Sequence, residues 1–145
     1  MAFKFPLETV LRLRQIAEQR EERATEEILR NMAQERQNLT NLGADRERLL
    51  QQSERALRSR VSAAEILLMQ GQIQAIRDRE AQGRNHLAHL EEQREAQMKI
   101  YEAAHRNREL LSRMREQQVD QFKRVQARKE QMQMDDIFSC RRKSV

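Results

Sequence analysis

Proline occurs once in this chain, at position 6, and never again through residue 145. A proline inside a helix costs about 3 kcal/mol, so nothing of that kind stops a helix running almost to the end. Glycine is nearly as scarce, confined to Gly43, Gly71 and Gly83. Aromatic residues, which favour strands, are down to Phe3, Phe5, Tyr101, Phe122 and Phe138. With 35% of its residues charged, the chain cannot wrap a filled globular core, and burial must follow a narrow seam. The expected fold is all-α, a long two-helix antiparallel coiled coil formed as a hairpin within a single domain.

Apolar residues recur every three or four positions in the first half: Val10, Leu13, Ala17, Ala24, Ile28, Met32, Leu39, Leu42 and Leu49. That spacing is a coiled-coil stripe, with the 24–28–32 step reading as a stutter. Glu21, Glu35 and Arg46 interrupt it at seam positions, so the seam is weak. Outer faces carry acid-to-arginine pairs four residues apart, among them Glu8–Arg12, Glu80–Arg84, Glu102–Arg106 and Glu109–Arg113. Each contributes about 0.2–0.5 kcal/mol and reads as a solvated helix face.

A Ser/Thr-x-x-Glu/Gln capping box occurs once, at Ser62-Ala63-Ala64-Glu65. The expected layout is a helix over about 6–57 with Pro6 in its first turn, a turn near 58–62, a second helix over 63–138, and a basic tail over 139–145. Gly71 and then Gly43 are the rival turn positions. The second stripe reads Ile66, Ile73, Ile76, Leu87, Leu90, Met98, Tyr101, Ala104, Leu111, Met114, Gln118, Phe122, Val125 and Met132. A turn near 60 leaves residues from about 115 onward without an intramolecular partner. Val119, Phe122, Val125 and Met132 then form an apolar stripe that needs cover from another molecule.

Charge is unevenly placed. Residues 1–105 hold 17 basic and 17 acidic side chains, whereas 106–145 hold 11 and 6, the whole of the +5 excess. A basic end on a neutral rod suggests an acidic partner or a solubilising tail. No apolar run approaches the ~20 residues that span a bilayer. The opening residues lack a signal peptide's apolar stretch, and the lone Cys140 builds no disulfide framework. A soluble cytosolic protein is the simplest reading.

No catalytic constellation is visible, and no cofactor or small-molecule substrate is implied. His86, His89 and Glu92 share a helical face, but surface histidines beside Leu87 and Leu90 explain the same letters better than a metal site. The 23 arginines are interleaved with acids and lack aromatic stacking partners, which weighs against nucleic acid.

The opening Phe3-Lys4-Phe5-Pro6-Leu7-Glu8-Thr9-Val10-Leu11-Arg12-Leu13-Arg14 resembles the start of the FliJ family of flagellar type III export proteins. The late segment Arg128-Lys129-Glu130-Gln131-Met132-Gln133-Met134-Asp135-Asp136 resembles that family's closing pattern, with Met-Asp-Asp where a Leu-Asp-Glu-like triplet is usual. The resemblance implies a non-enzymatic coiled coil similar to the stalk of the rotary ATPase gamma subunit, at the cytoplasmic face of the inner membrane. Its implied partners are the flagellar export ATPase ring, the cytoplasmic domain of the export gate, and export chaperones. By position along the hairpin, the paired end near Pro6 and the later overhang would enter the ring. Leu39, Leu42, Leu49, Ile73 and Ile76, nearer the turn, would meet the gate. The corresponding stalk of a virulence secretion system, or a basic coiled coil binding nucleic acid or anionic membrane, are the alternatives.

Overall fold

A computed structural model describes residues 2–143. Two helices, α1 (Glu8–Arg58) and α2 (Ala63–Lys143), pack against each other as a helical hairpin, with no strand among the described residues. Pro6 precedes α1 rather than opening it. The Glu8 N–H donates to the Phe5 carbonyl at 3.2 Å, so Pro6 sits inside a turn whose fixed proline φ leads the chain into the helix. Glu8 in the first turn and Arg55 and Arg58 in the last complement the helix dipole.

The helices are joined by Ser59–Ser62. The Ser59 N–H and hydroxyl both reach the Ala56 carbonyl, at 3.2 Å each, and use up an acceptor at the helix end. The Val61 N–H then closes a tight turn on the Ser59 carbonyl at 2.9 Å. Ser62 caps α2: its hydroxyl accepts the Glu65 N–H at 3.4 Å and its carbonyl accepts the N–H groups of Glu65 and Ile66. Gly43 and Gly71 are both inside helices. α2 also continues past Phe138 as far as Lys143, so most of the expected tail is helical, and Ser144 and Val145 lie outside the described residues.

The chain divides into two compact units: one joins Met1–Arg20 to Tyr101–Val145, the other is Glu21–Ile100. In the second unit the seam positions of α1 are Thr25, Met32, Leu39, Arg46 and Ser53 (a of a heptad) with Ile28, Glu35, Leu42, Leu49 and Ala56 (d), every one buried or half-buried. Opposite them, α2 presents Ile66, Ile73, Glu80 and Leu87 at a, and Met69, Ile76, Gly83, Leu90 and Gln97 at d. Met32 is the most deeply buried side chain, and burying such a residue contributes about 1.5–3 kcal/mol. Of the three glycines, Gly83 is the one packed tightly against the other helix. A Cβ there would lie 2.7 Å from both Glu35 Oε1 and Leu39 Cδ2.

In the first unit α1 contributes Leu11 and Glu18 at a, while α2 contributes Tyr101, Ala104, Arg108, Leu111, Gln118 and Phe122. Here the apolar periodicity misreads the phase. Leu11 is 4% exposed, whereas Leu13, assigned to the stripe, is 62% exposed. The seam residue that follows Leu11 is Glu18, so an eye following only apolar letters drifts onto Val10, Leu13 and Ala17. Leu11, Glu18, Thr25 and Met32 are evenly seven apart, and no stutter is needed. Met98 and Met114 likewise lie outside the seam, whose places nearby are held by Gln97 and Leu111.

Candidate partner-binding site

A polar seam fixes register, because each charged group placed there must find its partner from the other helix. In the second unit Arg46 donates to Glu80 at 2.7 Å, and the Glu80 side chain is 6% exposed. Gln97 donates to the Glu21 carboxylate at 2.6 Å and to the Glu21 carbonyl at 3.3 Å. In the first unit Glu18 receives two guanidinium hydrogen bonds from Arg108 and lies 2.9 Å from His105 Nδ1. Arg108 holds the Glu18 carboxyl below its ordinary value, against an opposing push from burial, and His105 acts in the same direction as Arg108. The Arg108 guanidinium is raised in turn by its bonds to Glu18. These cross-helix bonds displace several of the expected pairs along one helix. Glu80 is taken by Arg46 and Glu8 by Arg115 at 3.2 Å, while Glu109–Arg113 does form, at 2.8 Å.

The residues expected to meet partners fall into two groups, one in each unit. In the second unit Ile73 is buried and Leu39, Leu42, Leu49 and Ile76 are half-buried, all of them seam residues. Leu49 and Ile76 nevertheless line two shallow open depressions of about 310 and 270 Å³, with Asp45, Arg48 and Gln52 around one and Gln72, Ala75 and Arg79 around the other. The periodicity passed over Leu57, Leu67 and Leu68, which flank the connection and are about two-thirds exposed. Their signal was present as apolar letters off the stripe.

In the first unit the residues before α1 fold back over α2. The Phe3 ring lies 5.6 Å from that of Phe122, tilted by 54°, and Phe5 is buried. Phe122 therefore has a partner within its own chain, and Val119 beside it is half-buried. This corrects the expected overhang, which begins after Phe122 and not near residue 115. Beyond it Val125, Met132, Met134, Ile137 and Phe138 are all exposed, from 49 to 66%. An uncovered apolar helix of that kind is costly in water unless something packs on it.

Among the described residues no group of three or more His, Cys, Asp or Glu is placed to hold a metal ion. His89 instead lies 3.1 Å from the Gln93 side-chain amide. Among the described residues no helix is long and apolar enough to cross a membrane.

The family model of the flagellar FliJ protein matches residues 3–143, nearly the whole chain and both helices. The chain belongs to the FliJ family. It is therefore a flagellar, export-related protein from a family whose members are not enzymes. No curated protein and no solved structure matches it significantly. The resemblance read from the two terminal segments and the family match agree, and the match extends across the polar middle of the chain.

Proposed function

We propose that this FliJ-family chain acts without catalysis of its own, as a stalk-like coiled coil of the flagellar type III export apparatus. The observation that carries the reading is the exposed apolar stretch of α2 after Phe122, in a chain whose family match runs through that stretch to residue 143. In this reading Val125 and Met132, with the paired N-terminal end beside them in the first unit, are held by the export ATPase ring. Val119 and Phe122 shape that end from within. The gate contact lies nearer the turn, where Leu49 and Ile76 are reachable from open depressions and Leu57, Leu67 and Leu68 are exposed. Work at the cytoplasmic face of the inner membrane, the handling of export chaperones, and an effect on motility and chemotaxis follow from that role. The virulence-system, nucleic-acid and anionic-membrane readings have no comparable support.

Co-purification with the flagellar export ATPase tests the reading. The full-length chain is expected to bind, and Val125→Asp with Met132→Asp is expected to weaken binding at least about tenfold, a loss near 1.4 kcal/mol. Both side chains are already exposed, so helicity should not change. Absence of binding by the unaltered chain, or full binding by the double variant, contradicts it.

A further inference from the structure

The first unit has two flanks of different chemistry. Its cross-helix ion pairs use positions a and e: Glu8 (e) with Arg115 (a), and Glu18 (a) with His105 (e) and Arg108 (a). Reversing one helix of a pair brings e against e and g against g. The Arg36–Glu91 pair in the other unit, both residues at e, shows that arrangement directly. The g side of the first unit is therefore the flank opposite these ion pairs. Val10 and Met114 both hold g and so belong to that flank, and Leu13 and Leu110 lie outward of them at c.

Val10, Leu13, Ile16, Leu110 and Met114 are between 40 and 62% exposed. Neighbours three and four apart on each helix make them one patch across two helices. Exposed Arg14, Arg20 and Arg106 stand around it. Of the acids in and beside this stretch, Glu8, Glu102, Glu109 and Glu116 occupy e and b on the other flank, Glu18 is in the seam at a and Asp120 is at f, and no c or g position over 10–20 or 103–121 holds an Asp or Glu.

We propose that this flank docks an acidic amphipathic helix from a partner protein. A bare apolar strip about two turns long on α1, widened by about one turn of α2, suits apolar anchors at i, i+3, i+4 and i+7, and a rim of arginine suits carboxylates between them. Arginine and methionine are among the residues enriched where proteins meet. A second copy of this chain is a poor occupant, since its acidic flank places Ser112 and His105 beside Glu102, Glu109 and Glu116 rather than large apolar anchors. The inference rests on the register of the first unit; the flank lies on the paired end that the stalk reading gives to the export ATPase ring, and because it excludes Val125 and Met132 the two readings can fail separately.

The test titrates full-length protein against a labelled synthetic helix with leucine at those spacings and glutamate elsewhere, following fluorescence anisotropy. A control peptide carries lysine for glutamate, and phosphatidylglycerol vesicles form a third arm. The acidic peptide should bind saturably at one per chain, more weakly as salt rises. Leu13→Glu with Leu110→Glu should reduce binding at least about tenfold while leaving helicity and melting unchanged. A second variant, Arg14→Glu with Arg20→Glu, leaves the apolar strip intact and should lower binding of the acidic peptide while raising that of the basic one. Equal binding of both peptides, unchanged binding by the variants, or binding to vesicles but not to the acidic peptide overturns the proposal.

Discussion

Arg46 and Glu80 face each other across the seam of the second unit at 2.7 Å, each at an a position that a simpler coiled coil would fill with leucine or isoleucine. The Glu80 side chain is almost wholly covered and that of Arg46 about a third exposed. Taking one charge away strands the other, whereas replacing both with apolar residues removes the desolvation cost of the pair. Arg46→Ala is expected to destabilise the fold by about 2–3 kcal/mol, and Arg46→Met with Glu80→Leu to recover that loss or exceed it. Urea unfolding of Arg46→Ala and of the double variant checks this. A double variant as unstable as Arg46→Ala contradicts it.

Glu18 sets a pH dependence in the first unit. Its carboxyl titrates lower in the folded chain than its ordinary value of 4.5, chiefly because Arg108 donates to it. A lowered folded value means the folded state favours the ionised form. That stability is fully present above the ordinary carboxylate range and is lost as pH falls through it. Stability should therefore decline on acidification below about pH 4.5, and Glu18→Gln should show a shallower decline over the same window. Denaturant midpoints at neutral pH and at pH values below that range compare the two slopes. Parallel declines would show that Glu18 is not responsible.

The three glycines separate helix propensity from packing. All are helical and none has a positive φ, so alanine fits the backbone at each. A Cβ at Gly71 meets nothing within 4 Å, and one at Gly43 makes an ordinary 3.7 Å contact with Glu80. Gly71→Ala should stabilise by about 0.5–1 kcal/mol, and Gly43→Ala by a similar amount. Gly83→Ala gains the same propensity but pushes on Leu39 and Glu35, so its net gain should be smaller or negative. Thermal melting of the three variants ranks them, and a Gly83→Ala gain equal to that of Gly71→Ala contradicts the close approach.

The leading residues hold the end of the first unit. Phe5 is buried, and its replacement by alanine should cost more than Phe3→Ala, whose ring contact with Phe122 is worth about 0.5–1.5 kcal/mol beyond area. Hydrogen exchange should show the loss in residues 8–12 and 115–122 and leave residues 63–90 unchanged. Equal exchange in both variants would mean the leading residues do not pack as described.

Local signals were the most legible. The one capping box lies at the observed Ser62 cap, and the lack of mid-chain proline matches two long helices. The polar seam was readable where Glu21, Glu35 and Arg46 broke the stripe. Glu18, Thr25 and Gln97 give no sign of being seam residues, because apolar counting cannot separate a polar residue that pairs across helices from one that faces water. The same limit hides the apolar flank, since the spacing of Val10 and Leu13 suits the seam equally well. Phe3 and Phe5 stand in the sequence as part of the opening motif, and the return of Phe3 onto Phe122 is a tertiary contact with no periodicity to announce it.

The pairing of Arg36 with Glu91, both exposed and 3.9 Å apart, offers the most direct check on the antiparallel heptad register. Spin labels at these two positions, in chains with Cys140→Ser and diluted with unlabelled protein, report the distance within one molecule. Helix axes about 8–10 Å apart predict one narrow distribution on the order of 10–20 Å that persists on dilution. A broad distribution, a much longer distance, or a short one that vanishes on dilution would contradict the antiparallel register of the second unit and the doubling back of the chain itself.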